Sequence, residues 1–160
     1  MPLFTIDSTR RFSDNEKDEM ASFITKATVS QLHVFPDKIQ VLIHNVGKND
    51  SYRGGYSPIS PEFNIKSRIN SQDFQESYYT DKFNHDEDLI TIVVDSFSGF
   101  SFLDKSLLMK TITAYMVKNY NISGDNVVGF IHDISPENWF QNGTSGRDPE
   151  FLTKSRTPNE

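Results

Sequence analysis

The residue best placed to do chemistry is Pro2, at the head of the apolar run Leu3-Phe4-Thr5-Ile6. Initiator Met1 is removed when the next side chain is small, and removal here would leave a proline whose nitrogen is a free secondary amine. A free α-amine titrates near pH ~8 in model peptides. Burial among apolar neighbours lowers that value, because desolvation disfavours the ammonium. An amine brought toward neutrality can take up and return a proton under cellular conditions. The plain alternative is an ordinary second residue, and Met-Pro alone does not separate the two. Other groups carry less. His85-Asp86-Glu87-Asp88 has metal-ligand types that are adjacent rather than spaced to converge, so a solvated turn is expected, with no metal and no cofactor. His33 and His44 read as a helix-end and a sheet-edge histidine.

Positioning Pro2 requires a folded frame, and 160 residues suit one domain with a sizeable core, to which 13 Phe contribute bulk. A net charge of −6 argues against a nucleic-acid partner, which needs a basic face. The absence of Cys excludes disulfides, thiolate metal sites and cysteine nucleophiles. No apolar run approaches the ~18 residues of a membrane span, and no signal-peptide pattern precedes the first strand. The expectation is a cytoplasmic protein without a membrane partner. The sequons at Asn121 and Asn142 then read as chance matches.

Leu3 to Ile6 reads as a buried strand. Ser13-Asp14-Asn15-Glu16 reads as a capping box opening a helix to about Leu32, with Met20, Phe23, Ile24, Ala27 and Thr28 at helical spacing. Phe35-Pro36-Asp37 ends it. Ile39 to Val46 is a strand so apolar that its middle should be buried on both faces. Tyr52-Arg53-Gly54-Gly55-Tyr56 follows, its glycines allowing positive φ. Residues 57–88 read as an insertion. Leu89 to Val94 is a third strand, and Ser101 caps a second helix with the stripe Leu108, Ile112, Tyr115 and Met116. A fourth strand spans Asn126 to Ile131, and Asp133 to Phe140 forms a short capped turn. The fold class is α+β. Two consecutive β-α-β units (1–56 and 89–143) form one four-stranded sheet with both helices on one face. Residues 144–160 are a polar, frayed tail. The helix-free face of so apolar a sheet is expected to be buried by oligomerisation.

Met1-Pro2-Leu3-Phe4-Thr5-Ile6, Ile24-Thr25-Lys26-Ala27, Gln40-Val41-Leu42-Ile43 and Gly54-Gly55 together resemble the tautomerase superfamily. The two-unit length and Asp133-Ile-Ser-Pro136-Glu-Asn-Trp139-Phe-Gln-Asn-Gly143 resemble its cis-chloroacrylate dehalogenase-like branch, with the malonate semialdehyde decarboxylase branch second. The resemblance implies a homotrimer in which Pro2 is the catalytic base or acid on an enolisable carbonyl compound. Its alternatives are a hydratase, decarboxylase or dehalogenase of a small 3-substituted acid, and a non-catalytic trimer that has lost the chemistry.

Other positions depart from that pattern. Thr28 stands where the dehalogenase pattern has a helix histidine, and Phe97 and Phe100 where it has two arginines. Phe130 aligns with its tyrosine and Gln141 with its water-activating glutamate. Asp37 matches the decarboxylase aspartate, though a post-proline turn role is equally good. Loss of both arginines weighs against dehalogenation and hydration, because a buried carboxylate substrate needs a paired cation. Arg53 and Arg11 are the candidate replacements, with Arg68 of the insertion behind them, although surface roles are the commoner fate of arginine. Trp139 and Phe140 are candidate pocket walls, with core packing as the plainer role.

Overall fold

The computed structural model describes residues 2–63 and 87–157. Most of the 57–88 insertion, including Arg68, lies outside the described residues, as do His85 and Asp86. Strand β1 (Leu3–Ser8) buries Phe4, Ile6 and Ser8 on one face, as the two-residue period of a strand requires. Helix α1 (Asp14–Leu32) opens on the expected box: the Glu16 amide donates to Ser13 Oγ (3.2 Å) and the Ser13 amide to Glu16 Oε2 (2.8 Å). Such a cap stabilises by about 1 kcal/mol. Met20, Ile24, Thr28 and Leu32, four residues apart, form its buried stripe. His33 ends the helix in the left-handed region (φ 52), its amide donating to the Val29 carbonyl. A 3-10 turn, Pro36–Lys38, leads into β2 (Gln40–Asn45).

The second unit consists of β3 (Ile90–Phe97), α2 (Phe102–Tyr120, capped by Ser101) and β4 (Val127–Ile134). After another 3-10 turn, a small ladder joins β5 (Phe140–Gln141) to β6 (Thr144–Ser145), and a last helical turn, α3, spans Phe151–Lys154. The sheet order is β2-β1-β3-β4, parallel within each unit and antiparallel where β1 meets β3. Both long helices cover one face, where Phe4, Ile6, Ile92 and Val94 pack with Ile24, Ile112 and Met116. Each such side chain contributes about 1.5–3 kcal/mol of burial.

The units repeat with an offset of 88 residues. Ser13 and Ser101 cap the helices, and His33 and Asn121 end them at φ 52 and 53. The buried stripes, Met20-Ile24-Thr28-Leu32 and Leu108-Ile112-Met116-Tyr120, correspond position by position. So do the turns Pro36–Lys38 and Gly124–Asn126.

Three expectations are corrected. Strand β2 is not buried on both faces within one chain: it is an edge strand, and Leu42 on its helix-free side is 36% exposed. The third strand runs on through Asp95, Ser96 and Phe97, and the fourth through Ile134. Residues 144–157 do not fray. They fold back with Phe151 and Ser155 buried, because the turn before β2 offers this segment polar partners.

Candidate active site

Pro2 is buried at the head of β1, and the Gln40 amide donates to its carbonyl (3.1 Å). Because β1 and β2 are parallel and β3 is antiparallel to β1, this sheet end gathers the starts of β1 and β2 and the ends of β3 and β4. The turn Pro36–Lys38 lies here. So does the C-terminal half of α1, which must return the chain to the start of β2.

Lys38 is the group the sequence reading missed. Its side chain is 4% exposed, and Nζ donates to Gln141 Oε1 (3.0 Å) and Ser155 Oγ (2.7 Å). It also lies 3.5 Å from Asp37 Oδ2 and 5.2 Å from the centre of the Phe151 ring. A buried ammonium needs such partners, since leaving water unpaired is costly. No local signal marks it, because a lysine after Pro-Asp looks like a solvated turn and its partners are 103 and 117 positions away.

Asp37 is held by Arg156 in a two-pronged contact, Nε to Oδ2 at 2.8 Å and Nη2 to Oδ1 at 2.9 Å. Those hydrogen bonds pull its pKa down to about 2. Arg156 in turn stacks over Phe35, 4.9 Å from the ring centre. Gln141 reaches this end as the acceptor for Lys38. Thr28 is fully buried on α1, and its hydroxyl donates to the Ile24 carbonyl (2.7 Å). Phe97 ends β3 edge-on to Trp139, with ring centres 5.6 Å apart. Phe100 is half-buried against the core. Ser96, one step beyond the Leu3–Asp95 pair and therefore opposite Pro2, is buried, and its hydroxyl has no hydrogen-bond partner among the described residues.

The remaining candidates lie elsewhere. Arg53 sits at the opposite sheet end, where it donates to the Asp125 carbonyl (3.1 Å) and to Asn126 Oδ1 and lies over Phe63. Arg11 is exposed at that same far end, lining a small cavity with His44 and Asn45. Six residues of strand, roughly 20 Å, separate that end from Pro2, so one chain does not bring either arginine to Pro2. Phe130 projects from the helix-free face of β4, and Phe140 is exposed. Asp88 accepts from Thr9 Oγ1 (3.0 Å) and pairs with Lys48, so this half of the acidic cluster serves the start of β3.

Residues 91–148 match the family described as tautomerase enzyme. A comparison with curated proteins found no match. Solved structures similar to this chain include native fused 4-OT, 16% identical over 92% of this chain and 98% of that one, TM-score 0.68. A fused 4-OT described as a symmetric trimer is 17% identical over 91% and 98%, TM-score 0.68. N1, a member of the cis-3-chloroacrylic acid dehalogenase family, is 14% identical over 98% and 92%, TM-score 0.69. The second unit thus matches the tautomerase family, and the chain as a whole shares the β-α-β fold of these structures over nine-tenths of its length.

Proposed function

We propose that this chain is an enzyme in which Pro2, freed of Met1, moves a proton on an enolisable carbonyl compound, and that Lys38 serves as the cation of the site. The observation that carries the reading is a buried proline at the strand head, at the same sheet end as a buried ammonium. In the forward direction the neutral amine removes the proton, from the α-carbon of a ketone or from the hydroxyl of an enol. The same ammonium, now formed on Pro2, returns the proton to the partner atom, so no charge is left over. Nζ of Lys38 has three donors: Gln141 and Ser155 take two, and the third has only the longer contact with Asp37 Oδ2, 3.5 Å away. Exchange of that longer contact for a substrate carboxylate or enolate oxygen, in a site where water is scarce and charge counts for more, is the role proposed for the ammonium. Phe97 and Trp139 give the apolar wall that favours an aromatic or apolar substituent. The proposal includes a homotrimer, which is supported by the exposed sheet face and by fold neighbours described as trimers.

Lys38 also supplies the cation that the second reading, hydration, decarboxylation or dehalogenation of a small 3-substituted acid, would need. Turnover of phenylpyruvate enol, of 2-hydroxymuconate and of a 3-halo acrylate tests both readings, with mass spectrometry of the amino terminus alongside. Enol turnover that collapses in Pro2→Ala supports the first reading, and halide release supports the second. Retained Met1 sinks both, since an acylated proline nitrogen holds no proton to give.

A further inference from the structure

The helix-free face of the sheet carries two His–Asp pairs that match across the internal repeat. His44 Nδ1 lies 3.0 Å from Asp7 Oδ1, and His132 Nδ1 lies 2.8 Å from Asp95 Oδ1. Each histidine follows its aspartate by 37 positions, and the second pair follows the first by the 88-residue offset. In each unit the aspartate comes from the first strand and the histidine from the parallel neighbour paired directly with it. The antiparallel register sets Asp7 against Thr91 and Asp95 against Leu3, so the pairs stand roughly 13 Å apart along the strands. The other side chains of this face are uncharged: Leu42, Thr5, Val93 and Phe130 form the mainly apolar row between the pairs, and Val128 stands level with the first pair. An apolar strip flanked by two paired charges is what a second copy of the same face can cover.

We propose that assembly of the chain across this face requires His44 and His132 to be protonated. The inference rests on the homotrimer reading above and adds its control by pH. Covering the face with neutral imidazoles would bury one uncompensated carboxylate per pair, two per chain. With imidazolium, each pair is neutral as a whole and its desolvation is offset by the contact. Acid favours the imidazolium form, so assembly tightens as pH falls. Facing His44, besides Asp7, are Arg10, Arg11 and Lys17 around one small cavity. Arg10 is paired with Glu16 and Lys17 with Asp14, and Arg11 is the remaining cation of that cavity. Beside His132 the adjacent charges are Lys105 and Asp133, paired with each other at 2.6 Å, and Asp95 is the carboxylate in contact with its ring.

Sedimentation equilibrium of the full chain at pH 6.0 and pH 8.5 tests this. The expected result is a trimer at pH 6.0 whose association is weakened at least tenfold at pH 8.5. In the Asp7→Asn/Asp95→Asn variant the dependence reverses, because the neutral imidazole is then the form that can be covered. His44→Gln/His132→Gln associates weakly and equally at both values. A trimer equally tight at both pH values, or a wild-type dependence kept by the aspartate variant, overturns the inference while leaving the trimer intact. A folded monomer at both values sinks the homotrimer reading itself.

Discussion

Lys38 Nζ lies 2.7 Å from Ser155 Oγ, joining the turn before β2 to the end of the last helix across 117 positions of sequence. With the Arg156–Asp37 contact beside it, this bond fixes the C-terminal segment over the Pro2 end of the sheet. A segment that reads as a polar tail thus supplies part of the environment of the only buried lysine among the described residues.

Replacing that lysine tests whether it serves substrate or only structure. Lys38→Met keeps most of the volume and removes the charge. A hydrogen bond to a charged group is worth about 1.5–3 kcal/mol, so kcat/KM for a carboxylate-bearing enol should fall by roughly 10- to 100-fold. An uncharged enol should lose little. Equal losses for both substrates would assign Lys38 to the fold alone.

Acid stability should depend on Asp37. Its pKa is depressed from 3.8 to about 2 by Arg156, so the contact's stabilisation is present above pH ~3.8 and is lost as pH falls through about 2. Arg156→Gln removes the cause and should move the acid-unfolding midpoint, followed by circular dichroism, to higher pH. The effect should be modest and weaker in salt, since both partners are nearly half exposed (42% and 46%). An unchanged midpoint would show that the contact does not survive in solution.

Thr28 stands where the resemblance places a histidine, yet its hydroxyl is spent on the Ile24 carbonyl inside the core. Thr28→Val should therefore leave kcat and KM unaltered. Its stability should change by no more than about 1 kcal/mol, the usual worth of one such bond. A change in KM would return Thr28 to the site.

Gly146 and Gly129 should differ in what a methyl group costs. At Gly146 a Cβ would stand 2.8 Å from Phe97 Cζ and 3.0 Å from the Pro136 carbonyl oxygen, and backbone cannot swing away. Gly146→Ala should cost about 1–3 kcal/mol and disturb the Phe97–Trp139 wall, read as a blue or red shift of the single tryptophan's fluorescence. At Gly129 the obstacle is the end of the Met109 side chain, which can rotate aside, so Gly129→Ala should cost less in chemical denaturation.

Much of the frame was legible in the sequence because it is written in local chemistry. The Ser13–Glu16 box, the four-residue spacing of Met20, Ile24 and Thr28, and the alternation around Phe4 and Ile6 each act over a few residues. Both β-α-β units, the shared helix face and Pro2 at a buried strand head follow from those signals. Sequence alone could not assign the cations. Arg53 and Arg11 looked eligible because each lies near a turn, but the parallel pairing of β1 with β2 carries both to the sheet end away from Pro2. Lys38 looked like a solvated turn and is buried, because Gln141 and Ser155 return to it from more than a hundred residues away. The His–Asp pairs were equally hidden. His44 and His132 meet Asp7 and Asp95 only through strand register, a property of the assembled sheet that no short stretch of chain encodes.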